Sequence, residues 1–200
     1  MSDEQDKAKL HTEINQYINQ CFIIPMTAIT VFGLIGGWIL GGFISSTSGG
    51  NQPQVKPITF LLSILLVVIL SVLFYVSQVT TNNLLVIAAY LRQKKFSSWE
   101  LDFERFRSEF QPLKHVDQGE SRTFLFLVLG IAALCLPLVL LLFGFQDNTI
   151  NVICLALHVL ISATYCIIVF MVLKGKLFRF RKKEVEEIWQ KVITSGPTNN

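Results

Sequence analysis

Four stretches of this chain contain no Asp, Glu, Lys or Arg: residues 22–44, 57–77, 123–145 and 152–173. They run for 23, 21, 23 and 22 residues. About 20 apolar residues, at 1.5 Å of rise each, suffice to cross roughly 30 Å of hydrocarbon. A chain with four such stretches folds as a polytopic helical membrane protein, because helices alone satisfy their own backbone in lipid without closing a barrel. Composition agrees. Hydrophobic residues make up 52% of the 200 positions and charged residues 16%, where soluble domains carry about 25% charge. Mean hydropathy is +0.52.

Several classes fall away. The first apolar stretch follows the acidic Asp3, Glu4 and Asp6 and is too long for a signal-peptide core, so it is expected to remain as an anchor. Cys21, Cys135, Cys154 and Cys166 lie at or inside the spans, which implies no disulfide framework. A net charge of +3, gathered next to the spans, disfavours nucleic acid as a partner.

The positive charges set the orientation. Lys7 and Lys9 precede the first span; Arg92, Lys94, Lys95, Arg105, Arg107, Lys114 and Arg122 lie between the second and third. Lys174, Lys176, Arg179, Arg181, Lys182, Lys183 and Lys191 follow the fourth, and Lys56 alone falls in an opposite connection. The positive-inside rule then places both termini and the middle loop in the cytoplasm. The expected localisation is an integral protein of a plasma or inner membrane.

The resulting expectation is an all-α polytopic protein with four transmembrane helices. It comprises an amphipathic N-terminal helix at 1–21, the first span at 22–44 and an outer loop at 45–56. The second span at 57–77 leads into a cytoplasmic helical loop at 78–122. The third span at 123–145, an outer turn at 146–151 and the fourth span at 152–173 precede a basic, helical tail at 174–200. The N-terminal segment, middle loop and tail are expected to form a helical cytoplasmic base.

Periodicity supports that base. Leu10, Ile14, Tyr17 and Cys21 recur at helical spacing. In the middle loop, Ser97 with Glu100 fits a capping box, Phe96 with Leu101 fits the staple around it, and Pro112 ends the run. On that helix Trp99, Phe103, Phe106 and Phe110 form an aromatic stripe within about 60°. Its charged residues, Glu100, Asp102, Glu104 and Glu109 against Arg105 and Arg107, favour a protein over an anionic lipid surface as the partner. The stripe packs on the chain's own base or docks on another protein. In the tail, Val185, Ile188, Trp189 and Val192 share a face. The apolar run 84–91 is too short to cross a second time and is expected to be a buried continuation of the second span.

Two patterns inside the spans carry the site candidates. Gly33, Gly37 and Gly41 make two overlapping G-x-x-x-G units, the close-packing surface that association in lipid requires. The ridge serves either another span of the same chain, with Thr59, Ser63, Ser71 and Tyr75 as a complementary track, or a second subunit. In the fourth span Cys154, His158, Ser162 and Tyr165 form a polar stripe. Intramembrane histidine is expensive and usually functional. It is expected to be hydrogen-bonded between helices, with Cys154, Ser162 or Ser63 as partner; a water-filled path and a metal site with Cys135 are the alternatives. A fourth ligand is missing, so no metal or cofactor is expected. Pro25 and Pro137 imply kinks or freed carbonyls.

No span holds a carboxylate or permanent cation, which argues against ion-coupled transport. His11, His115 and His158 are scattered, and no catalytic motif surrounds them, so no enzyme is expected. Two classes survive: a small homo-oligomeric channel or pore, or a membrane-embedded interaction subunit that recruits a protein through its cytoplasmic helices. In either class Lys174, Lys176, Arg179, Arg181, Lys182 and Lys183 meet lipid headgroups.

Overall fold

The computed structural model describes residues 3–47, 57–94, 118–141, 149–175, 177 and 182–195. Among them the chain is entirely helical. It forms α1 (Asp3–Thr47), α2 (Pro57–Lys94), α3 (Gln118–Leu141), α4 (Thr149–Leu173) and α5 (Lys182–Ser195). The first four are long and apolar enough to cross a membrane, over Lys7–Gly42, Pro57–Leu91, Glu120–Val139 and Thr149–Leu173. That is consistent with an integral membrane protein. Phe22, Trp38 and Leu160 are more than 60% exposed, a cost that water would impose and lipid does not.

Two helices run on beyond their charge-free stretches. No break separates residues 3–21 from the first span: both belong to α1, whose 45 residues run about 68 Å. The second span likewise continues to Lys94, taking in the 84–91 run. Helical periodicity is unbroken across both junctions, and a change from apolar to polar side chains does not by itself end a helix, whereas a C-terminal glycine cap does. The end of α4 shows such a signal. Gly175 takes a positive φ of 69° and its amide donates to Val172 O at 2.9 Å, closing the last turn. Lys174 places its ammonium 5.4 Å from the Phe170 ring centre there, where a cation also suits the helix dipole.

The chain divides into two compact units. One comprises Ile24–Val76 and Arg122–Leu177. Its core draws Ile24 and Ala28 from α1, Leu66, Leu70 and Phe74 from α2, Phe126 and Ala133 from α3, and Val169 from α4. A second cluster forms around Ile39 and Phe60. Phe74 is the centre of an aromatic contact set, edge-on to Phe126 at 5.5 Å and to Tyr165 at 6.3 Å.

The other unit comprises Met1–Ile23, Ser77–Ser121 and Phe178–Asn200. Leu10, Ile14, Tyr17 and Cys21 are all half-buried within it, so the periodic face of the N-terminal segment is the packed one. Asn83 Nδ2 donates to Tyr17 Oη at 3.5 Å. The short helix α5 meets the end of α2 at Trp189. Trp189 donates its indole N–H to Val86 O at 3.1 Å and packs on Tyr90 with ring centres 4.8 Å apart. Val185 is buried one turn earlier, while Ala89 and Leu91 are buried on α2. The 84–91 run is thus half-buried or buried throughout.

Replacing Trp189 with Phe keeps a ring against Tyr90 and removes the hydrogen bond, worth about 1 kcal/mol. Hydrogen exchange of the α5 amides is expected to accelerate about fivefold in Trp189→Phe, and further in Trp189→Ala. Unchanged exchange in both variants would show that another contact holds α5.

Candidate functional site

Polar side chains of two membrane-length helices, Ser63 and His158, meet α3 where it loses a backbone donor. Proline has no amide hydrogen, so Pro137 leaves the carbonyl of residue 133 without its helical partner. In hydrocarbon an unmatched carbonyl costs several kcal/mol. The Ser63 hydroxyl, from α2, donates to Ala133 O at 3.1 Å. One residue on, Leu134 O accepts from His158 Nε2, on α4, at 3.3 Å. Three helices are therefore joined at consecutive carbonyls beside one proline.

The histidine is fixed from both sides. A carbonyl only accepts, so Nε2 must carry a hydrogen. Nδ1 then accepts from Ser162 Oγ, 3.4 Å away and one turn along α4. The neutral Nε2–H tautomer satisfies both contacts. Ser63, His158 and Ser162 are fully buried, so this part of the stripe lines no open path through the described residues.

Tyr165 extends the same face. Its hydroxyl donates to Phe126 O at 3.1 Å. The ring reaches that backbone because position 130 is glycine: a Cβ there would overlap ring atoms Cδ1 and Cε1 of Tyr165 and come 3.4 Å from Cys166 Sγ. Gly130 is the close-packing glycine between α3 and α4. Cys154, the remaining member of the stripe, is half-buried beside the cluster of Ile39 and Phe60. Cys135 is exposed, and among the described residues no three His, Cys, Asp or Glu side chains come together to hold a metal.

The glycine ridge of α1 lies elsewhere. A Cβ at Gly33, Gly37 or Gly41 would meet nothing within 4 Å. The packed face of α1 is the opposite one, carrying Ile24, Ala28, Gly36 and Ile39. Ridge and hydroxyl track therefore do not meet among the described residues. Ser63 is turned to α3, Ser71 donates to its own Val67 O at 2.7 Å, and Tyr75 is exposed. Nor is Ser63 the partner of His158; each serves a separate carbonyl of α3.

Of the remaining candidates, Trp99, Phe103, Phe106 and Phe110 lie outside the described residues, as do Lys176, Arg179 and Arg181. Lys182 opens α5. Lys174 and Lys183 are exposed. Sequence reasoning missed Gly130 and the role of Pro137. The signal for the second was present: a proline inside a span marks the carbonyl four residues earlier as needing a donor. A lone glycine carries no such pointer.

The link between Ser63 and Pro137 is testable as a cycle. Ser63→Ala is expected to lower stability by about 1 kcal/mol, within the range for buried membrane hydrogen bonds. In Pro137→Ala a backbone amide returns to Ala133 O, so the same serine change should then cost much less. Unfolding of the four proteins in one detergent measures the coupling. Equal cost in both backgrounds would contradict the account.

Comparison of the chain with protein-family models, with curated proteins and with solved structures finds no match.

Proposed function

We propose that the chain is a non-catalytic integral membrane protein that self-associates through the glycine face of α1, and that the assembly forms a small channel. Both termini and the middle loop lie in the cytoplasm on this reading, supported by the placement of sixteen of the seventeen Lys and Arg residues.

One observation carries it. Three glycines in register occupy a helix face that no other described part of the chain covers. Each costs about 0.5–1 kcal/mol of helix stability relative to alanine. Inside the chain that cost returns nothing at these positions, whereas Gly130 returns a close helix contact. Between subunits the ridge permits the backbone approach on which association in lipid depends. The same face continues to Thr30, whose hydroxyl is satisfied by Met26 O at 2.9 Å and so adds no unmatched donor.

The channel reading is supported by uncharged spans and short outer connections; apolar constrictions can gate by dewetting. Because the His158 cluster is closed and fully bonded, a permeation path runs between subunits rather than through the knot. A second reading, an interaction subunit recruiting a protein on the cytoplasmic side, is favoured by the acidic aromatic stripe at Trp99–Phe103–Phe106–Phe110.

Particle mass and ion flux separate these. The wild-type protein is expected to run as one symmetric multimer and to conduct in liposomes. Gly37→Leu should yield monomers with unchanged helix content and no flux. A wild-type monomer, or a multimer indifferent to Gly37→Leu, would overturn the α1 interface. A multimer that carries no flux would overturn the channel alone. Recovery with another protein in fixed ratio would support the second reading.

A further inference from the structure

The N-terminal part of α1 has two unlike faces. Leu10, Ile14, Tyr17 and Cys21 are half-buried on one side, where Tyr17 accepts from Asn83. Ala8, Thr12, Asn15, Asn19 and Phe22 lie on the opposite side, within about 80° of one another, and all five are exposed. They are spaced four, three, four and three apart, the interval of the a and d positions along a helix seam. Thr12 Oγ1 is satisfied by Ala8 O at 3.0 Å, whereas neither Asn15 nor Asn19 is bonded to a described residue through its side chain. The face is also neutral. From Ile14 to Val55 the chain contains no Asp, Glu, Lys or Arg, while the water-facing side of α5 carries exposed Lys183, Glu187 and Lys191. Hydrocarbon offers an amide no hydrogen bond. A neutral partner that supplies donor and acceptor together does, and another asparagine is one.

We infer that this face meets the same face of α1 in a second copy, the two helices parallel, with Asn15 against the partner's Asn15 and Asn19 against the partner's Asn19. Insertion sets the direction. Copies that enter one membrane in one orientation present α1 in parallel, and along a parallel seam each position meets its own counterpart. Like-with-like contact suits this set of residues. Asparagine both donates and accepts, Ala8 and Phe22 are apolar, and no position sets a charge against itself. The opposite face is taken up within the chain. An anionic lipid surface is a poor occupant, because the face holds no cation to attract it. Five residues make a short seam, so the pairing rests on the proposed self-association through the glycines, which holds the copies in one membrane and raises their effective concentration. The amides then fix the register of the two helices, as a polar residue within such a seam does.

The test uses the full-length protein in liposomes, with Cys21, Cys135, Cys154 and Cys166 replaced by alanine. One cysteine is then introduced at Asn19 or at its exposed neighbour Gln20, about 100° around the helix. Under copper–phenanthroline, Asn19→Cys is expected to form an interchain disulfide in several-fold higher yield than Gln20→Cys. With the cysteine placed instead at Asn15, Asn19→Asp sets like charges in one layer and should cut the yield about threefold at neutral pH. Benzoylphenylalanine in place of Asn19 or Gln20, in the otherwise unaltered chain, repeats the comparison with the native cysteines kept. If the particle keeps its multimeric mass but position 19 links no better than position 20 by either chemistry, the amide seam is wrong and the glycine reading stands. A yield that Asn19→Asp leaves unchanged would overturn the role of the amides. A monomeric particle would overturn both readings.

Discussion

In hydrocarbon there is no water to receive a stray carbonyl, and the interior of this protein is arranged around that demand. Pro137 removes one donor from α3, and the structure answers with side chains from the two neighbouring helices. Ser63 approaches from α2 and His158 from α4, at carbonyls one residue apart. Because both are fully buried, each fixes the rotation of its helix as well as its position. Ser162 then orients the imidazole. A histidine placed to serve a neighbouring helix differs physically from one placed to meet solvent, and this one serves a helix.

The glycines divide along a related line. Between lipid-solvated helices the gain comes from close contact, not from hiding apolar surface. Gly130 is spent inside the chain, where its missing side chain admits the ring of Tyr165 to the backbone of α3 and lets the phenol reach Phe126 O. Gly33, Gly37 and Gly41 are unspent within the described chain. One fold thus contains both a satisfied close contact and an unoccupied surface suited to another, and that contrast motivates the self-association reading.

Much of the architecture was legible in the sequence, since long charge-free runs and helical periodicity report directly on solvent. The spans emerged as helices, the half-buried face at Leu10, Ile14, Tyr17 and Cys21 was the periodic one, and the 84–91 run continued α2. What stayed hidden was pairing. Spacing places Ser63 on a face but does not say which carbonyl it reaches, and three glycines in register outweigh a lone Gly130 until coordinates show which has a neighbour.

The claim that a serine side chain replaces a proline's missing amide can be observed at the carbonyl itself. The sequence contains two Ala–Leu steps, Ala133–Leu134 and Ala156–Leu157. Labelling alanine carbonyls with ¹³C and leucine amides with ¹⁵N therefore isolates Ala133 alongside an internal control. On Ser63→Ala the Ala133 carbonyl carbon is expected to move upfield, as a lost hydrogen bond requires, while Ala156 stays in place. An Ala133 resonance that does not move would mean that Ser63 never held that carbonyl, and the three-helix knot would lose its first strand.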